Sequence, residues 1–155
     1  MQVHEAMSAE VKMANPDQSI RDAARMMAQG DCGCLPVGKD DRLVGMITDR
    51  DIAVRAVAAG KSAKTTVGEI MSEEVKYCFE DDTVDDVAMN MAEIKVRRLP
   101  VLDHDKRLVG IIALADIALA EGPGSAGSAV CGISEPGGDH SQSMNGGRGA
   151  MARAG

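Results

Sequence analysis

Aromatic side chains are nearly absent from this chain of 155 residues: one Tyr, one Phe and no Trp, 1% of the sequence. A buried core must therefore be filled by Val, Ile, Leu, Ala and the eleven Met. Such a chain lacks the stacking platforms on which proteins hold single-stranded nucleic acid. Positive charge is short as well. The formal net charge of −7 argues against DNA, RNA or an anionic membrane as the main partner, because each attracts a cationic surface. It leaves room for a local basic patch that meets one small anion. No apolar run approaches the roughly 18 residues of a membrane span, and the opening "MQVHEAMSAE" is too acidic and polar for a secretory leader. A cytoplasmic location is expected, where cysteines persist as thiols.

The chemistry-bearing residues assemble no reaction centre. Cys32 and Cys34 form C-x-C, Cys78 and Cys131 lie far away, and His4, His104 and His140 show no ligand spacing around them. Zinc asks for well-placed ligands in a set of four, so no metal site is expected. Neither G-x-x-x-x-G-K-[ST] nor G-x-S-x-G occurs, and Ser72 has no His placed near it by pattern. The acid pairs Asp81–Asp82 and Asp85–Asp86 fall in turns and helix starts, where carboxylates favour the helix dipole. Gly122, Gly124 and Gly127 satisfy G-x-G-x-x-G, but the dinucleotide fingerprint needs a strand before it and a helix after it. Here a helix is expected before it and a Gly/Ser-rich tail after. The chain is not expected to be an enzyme.

What the chain does carry is a repeat. "EAMSAEV" at Glu5 answers "EIMSEEV" at Glu69, "IRDAARMMA" at Ile20 answers "VDDVAMNMA" at Val84, and "LPV" at Leu35 answers "LPV" at Leu99, all at an offset of 64. "LVGMITDRDIA" at Leu43 answers "LVGIIALADIA" at Leu108, now at 65. The extra residue falls between "GKDDR" and "LDHDKR", polar stretches suited to a hairpin turn. A duplication over about residues 5–119 follows.

Each copy predicts the same order. A short β segment (11–13; 75–78) leads through turn residues to an N-cap, Ser19 or Thr83. An amphipathic helix follows, with Ile20, Ala23, Ala24 and Met27 spaced like Val84, Val87, Ala88 and Met91. Two apolar strands then make a hairpin, and a last helix starts near Thr48 or Ala113. The fold class is α/β of the α+β kind, built from tandem β-α-β-β-α repeats. One unit of about 55 residues buries its apolar face better against a twin than alone, so a pair of repeats with pseudo-twofold symmetry is expected. The divisions are 1–64, 65–121 and a flexible tail over 122–155, where large apolar residues lose their period.

Two readings of "GMITDRD" stand side by side. Thr48 and Asp51 have the spacing of a capping box, in which each side chain serves the other's backbone N–H. In the second copy Ala113 replaces Thr48 while Asp116 keeps the acid. A carboxylate at a helix start can also accept bonds from vicinal hydroxyls such as those of ribose, and helix N–H groups with a Thr hydroxyl can meet phosphate. Arg97 and Arg98 stand where the first copy has Gly33 and Cys34. They are either a solvated strand edge or a phosphate clamp. Together the second readings suit a nucleotide.

The duplicated unit, with "MS" leading in, "LPV" in the hairpin and "G-h-h-T-x-x-D" opening the last helix, resembles a CBS-domain pair of the small stand-alone bacterial type, named after cystathionine β-synthase, over about residues 1–120. The resemblance implies a regulatory module that binds AMP, ADP, ATP, S-adenosylmethionine or a dinucleotide such as NAD in the cleft between repeats. It also implies a homodimer, no required cofactor and an output passed to another protein. By motif, Asp51 and Asp116 match the ribose acid, Thr48 the phosphate-side Thr, and Arg97 and Arg98 the basic pair that meets phosphates in some relatives. Gly33, Cys34 and Val96 match the residues that wall the adenine. Ala113 departs from the pattern in one copy, and Gly33 with Cys34 in the other. The alternative is a stress-response interaction protein whose cleft holds no nucleotide.

Overall fold

The computed structural model describes residues 1–135 and 153–154. In chain order its elements are α1 (Val3–Ala6), α2 (Ile20–Gly30), β1 (Cys34–Lys39), β2 (Arg42–Thr48), α3 (Asp49–Asp51) with a π-helical continuation (Ile52–Val57), and α4 (Val67–Ile70). There follow β3 (Tyr77–Phe79), α5 (Val84–Ile94), β4 (Arg98–Leu102), β5 (Leu108–Ala113), α6 (Leu114–Glu121), α7 (Pro123–Ser134) and β6 (Arg153–Ala154). The class is α+β with repeated order, as the sequence implies. α2 and α5 start where expected: the Ser19 hydroxyl accepts from the Asp22 N–H, and the Thr83 hydroxyl from the Asp86 N–H. The leading β segment is shorter than expected. In the first copy it is a single parallel bridge between Ala14 and Val37.

Two units divide the chain. A continuous unit spans Lys12–Val75, and a composite unit joins Met1–Val11 to Lys76–Gly155. The continuous unit holds the antiparallel β1–β2 hairpin, turned by Asp40 and Asp41 at φ 54° and 62°, a left-handed pair that a two-residue hairpin turn requires. Ile20, Ala23, Met27, Leu35, Val37 and Ile47 pack its core. The composite unit holds a four-stranded sheet in the order β5-β4-β3-β6. Val84, Val87, Met91, Leu99, Val101 and Ile112 fill its core. Each such aliphatic side chain contributes about 1.5–3 kcal/mol by leaving water.

These units do not coincide with the copies of the repeat, and the "MS" and "LVG" phrases show why. In the continuous unit Ser72 and Met46 exchange backbone bonds of 2.9 Å in both directions. A Cβ built on Gly45 would lie 2.6 Å from Met71 Sδ and 2.8 Å from the Ser72 carbonyl oxygen. In the composite unit Ser8 and Ile111 pair in the same way, and a Cβ on Gly110 would meet Met7 Sδ at 2.5 Å and the Ser8 carbonyl at 2.9 Å. The lead-in of each copy thus clasps the hairpin of the other, over a glycine that lets the backbones approach. α1 and α4 are the one-turn helices that hold these lead-ins. Glu5 and Glu69 close them by accepting from the N–H groups of Gln2 and Thr66.

The tail departs from expectation. Over 123–134 it is helix, not flexible coil, and α7 packs on α5 and α6 with Ala126, Ala129 and Ile133 buried. Small residues are the reason. At Gly132 a Cβ would stand 2.6 Å from Ala92 Cβ, so closeness to α5 is bought with Gly and Ala rather than with large apolar residues. The Ser125 hydroxyl donates to Asp85 Oδ1 at 2.6 Å, and Lys95 Nζ donates to the Glu135 carbonyl at 2.8 Å. Gly122 therefore lies between α6 and α7, and Gly124 and Gly127 lie within α7, outside the dinucleotide context. Residues 136–152 and 155 of the expected tail, including His140, lie outside the described residues.

Candidate ligand-binding site

In the continuous unit the hairpin end builds one cluster. Cys34 pairs with Thr48 in register, and the Asp49 N–H donates to the Gly33 carbonyl at 2.9 Å. The capping box is formed in full. Thr48 Oγ1 accepts from the Asp51 N–H, and Asp51 Oδ2 accepts from the Thr48 N–H, both at 3.0 Å. Gly33 lies close under the next acid, since a Cβ there would meet Asp49 Oδ2 at 3.0 Å. Gly33, Cys34, Thr48 and Asp51 are all partly buried.

The composite unit builds the counterpart. Arg98 pairs with Ala113 in register, and the Leu114 N–H donates to the Arg97 carbonyl at 2.9 Å. Ala113 has no acceptor, so half the box is lost; the other half persists as a 2.7 Å bond from its N–H to Asp116 Oδ2. The two departures between the copies are thus one departure. Cys34 opposite Thr48 has become Arg98 opposite Ala113. Arg97 and Arg98 are exposed, whereas Val96 lies in the unit's core at 4% exposure. The sequence-predicted residues are therefore brought together in two groups, Gly33, Cys34, Thr48 and Asp51 in one unit and Val96, Arg97, Arg98 and Asp116 in the other.

Arg55 is a residue that reading the sequence missed. Its Nε lies 3.6 Å from Asp51 Oδ1, and its guanidinium donates to the Ile70 carbonyl at 3.1 Å and to the Ser72 hydroxyl at 3.4 Å. It ties the acid of the site to the clasp. The signal was present: an acid followed by a base at i+4 on a helix. The second copy has Ala120 at this place. Among the described residues no bond reaches the second oxygen of Asp116, so this carboxylate has capacity that Asp51 has given to Arg55.

A cavity of about 470 Å³ also lies in the continuous unit. It is lined by α2, by Asp31, Cys32 and Gly33 just after it, and by Asp49 and Ile52, with neither Thr48, Asp51 nor Cys34 in its wall. Among the described residues no group of three or more His, Cys, Asp or Glu is placed to hold a metal ion. Cys78 is buried, and burial, reinforced by Asp82, pushes its thiol far above the ordinary range, so it stays protonated. No helix of the described residues is long and apolar enough to cross a membrane.

Repeat order, hairpin register and helix starts together define tandem modules of one kind, and the profile of the CBS domain matches residues 3–57 and 67–122. The chain belongs to the CBS-domain family. It is 41% identical over 133 residues to the CBS domain-containing protein YhcV of Bacillus subtilis, covering 85% of this chain and 94% of that protein. The crystal structure of Hypoxic Response Protein I with two coordinated zinc ions is similar at a TM-score of 0.71 and 38% identity, over 77% of this chain and 98% of that one; hypoxic response protein 1 is a Mycobacterium tuberculosis protein. The CBS pair of protein MJ0100, solved in complex with 5′-methylthioadenosine and S-adenosylmethionine, matches at a TM-score of 0.68 and 34% identity, over 77% and 94% of the two chains.

Proposed function

We propose that this chain is a regulatory, non-enzymatic module that binds an adenosyl ligand at the hairpin ends of its repeats. The ligand is AMP, ADP, ATP or a related compound such as S-adenosylmethionine or NAD. The protein works in the cytoplasm as a homodimer and passes its output to another protein. The observation that carries this reading is the likeness to a CBS pair crystallised with 5′-methylthioadenosine and S-adenosylmethionine. Asp116, with an oxygen to spare, is assigned to the ribose hydroxyls. Asp51 has the same role in the other copy once Arg55 yields, and Thr48 meets the phosphate side there. Arg97 and Arg98 meet phosphates, and Gly33, Cys34 and Val96 wall the base.

A second reading is favoured by the bonds of Asp51. Its carboxylate already serves the Thr48 N–H and Arg55, which is enough to keep an acid there for structure alone. Calorimetric titration with AMP, ATP, S-adenosylmethionine and NAD separates the two. Under the adenosyl reading one of them binds, and Asp116→Ala weakens it by about 1.5–3 kcal/mol, the worth of a hydrogen bond to a charged group, or roughly ten- to a hundredfold. No heat with any of the four, or unchanged affinity in both Asp51→Ala and Asp116→Ala, sinks it.

A further inference from the structure

The phrase "DIA" opens the last helix of both copies, yet the two helices differ in register. In the continuous unit the Ala58 N–H donates to the Ala53 carbonyl at 2.9 Å, a π-type bond that spans five residues, and Lys61 repeats it on Ala56. In the composite unit the counterpart carbonyl, that of Ala118, accepts from the Gly122 N–H at 3.0 Å, the four-residue bond of an α-helix. The offset of 65 holds through Ala53 and Ala118, so no residue inserted ahead of these carbonyls accounts for the split. π-Helical turns are rare and gather at functional sites. The α form seats Ile117 in its core, whereas the π form leaves its counterpart Ile52 half-buried. One repeated helix start is thus seen in two arrangements within a single chain.

Two residues account for the difference. Pro123 stands at the counterpart of Ala58 and has no N–H with which to make a π bond. Arg55 stands where the second copy has Ala120, in the middle of the π stretch, and is held from three sides: by Asp51 Oδ1, by the Ile70 carbonyl and by the Ser72 hydroxyl. A change of register would re-aim its side chain about the helix axis, so these partners favour the π form. Two of them belong to the lead-in of the second copy. Ser72 is the clasp residue that exchanges bonds with Met46, and the chain leaves the continuous unit just beyond it, after Val75.

We infer that Arg55 is a latch that couples occupancy of Asp51 to the clasp at Ser72. Vicinal hydroxyls that take Asp51 Oδ1 remove the one anionic partner of the guanidinium. The two neutral acceptors left hold a half-exposed arginine weakly, the helix passes to the α register of its twin, and the clasp loosens where the chain crosses to the other unit. Asp116 has no such latch, so the two copies divide the work: one binds, the other binds and reports. The trigger rests on the adenosyl reading of Asp51; the coupling of Arg55 to register and clasp is a property of the free protein.

Arg55→Met tests the coupling without ligand, since methionine matches arginine in helix propensity and keeps an apolar stem. Couplings across hydrogen bonds, read by NMR, should link the Ala53 carbonyl to the Ala58 N–H in the wild type and to the Val57 N–H in Arg55→Met. Amide exchange at Met46 and Ser72 should quicken about two- to tenfold, the worth of one hydrogen bond, while Ser8 and Ile111 of the twin clasp keep their rates. The ligand arm uses AMP on Asp116→Ala, in which only Asp51 remains. Saturating AMP should move the Ala53 coupling as Arg55→Met does, and by reciprocity Arg55→Met in that background should bind AMP about two- to fivefold more tightly, the range of an exposed ion pair. An unchanged register or unchanged exchange in Arg55→Met overturns the latch and leaves the adenosyl reading standing. AMP that binds without moving the coupling, or binds no tighter when Arg55 is replaced, also overturns it. AMP that binds neither form overturns the ribose role of Asp51, and the trigger falls with it.

Discussion

Gly132→Ala sets two effects of known sign against each other. Alanine inside a helix is better than glycine by about 0.8–1 kcal/mol, so an unseated α7 would gain that much from the change. In the structure the new methyl would stand 2.6 Å from Ala92 Cβ, closer than real methyl groups approach, and in tight contact with the Ala92 backbone at 3.1 Å. Neither neighbour is the far end of a flexible side chain, so α7 must shift, and overpacking of this kind costs about 1–3 kcal/mol. The net is a loss of up to about 2 kcal/mol. Gly127 supplies the control. It lies in the same helix with nothing within 4 Å of its Cβ position, so Gly127→Ala should show the propensity gain alone. Denaturant unfolding of the two variants removes the propensity term by difference and leaves the steric term, about 1–3 kcal/mol. In thermal melts that is about 2–4 °C for each kcal/mol at this chain length. Equal stabilisation by the two substitutions would refute the seating of α7 on α5.

The clasps predict a second loss. Gly45→Ala and Gly110→Ala each push a methyl to within 3 Å of a serine carbonyl oxygen and should cost at least the roughly 1–3 kcal/mol of overpacking; wild-type melting of either variant contradicts the clasp. Replacing Arg97 and Arg98 together by Ala should weaken ATP and ADP more than adenosine, and the difference should shrink as salt rises from low to about physiological strength. Equal losses for ATP and adenosine would move the phosphate end elsewhere. His104 donates to Asp81 across 2.9 Å, and that bond, with the charge of Asp81, raises its pKa above 6.5. Its contribution to stability is present below the unfolded value and disappears as pH rises through the higher folded one. An NMR titration should place His104 above its ordinary range and Asp81→Asn should bring it down; the same midpoint in both proteins excludes the pairing.

Much of the fold was legible because it is written in period and caps. Ser19 and Thr83 announce α2 and α5, and Asp40–Asp41 and the stretch from Asp103 to Arg107 mark the hairpin turns. α7 was not legible for a physical reason. A helix that must come close to α5 uses Gly132 and Ala129 where a helix seen from sequence would show Leu or Ile, so its composition looks like that of a loose chain. The exchange of lead-ins was hidden too. "MS" and "LVG" are visible as repeated phrases, but which copy of one meets which copy of the other is a matter of the path of the chain, not of spacing. Among the candidate site residues, Thr48, Asp51 and Asp116 were singled out because a box was broken in one copy. Arg55 was passed over because its partner had already been given another role.

The exchanged clasps bear on how such a protein could arise. A polypeptide with one copy alone would own a lead-in and a hairpin, yet its lead-in is the segment that closes the hairpin of a different copy. Two identical short chains would have to close one another, and below the concentration at which they associate each would leave a hairpin edge uncovered. Joining the copies end to end replaces that encounter with a tether, so closure no longer depends on how much protein is present. Once joined, the copies are free to diverge. One hairpin end can keep its threonine and lose its arginines while the other does the reverse, which identical subunits of a symmetric dimer can never do.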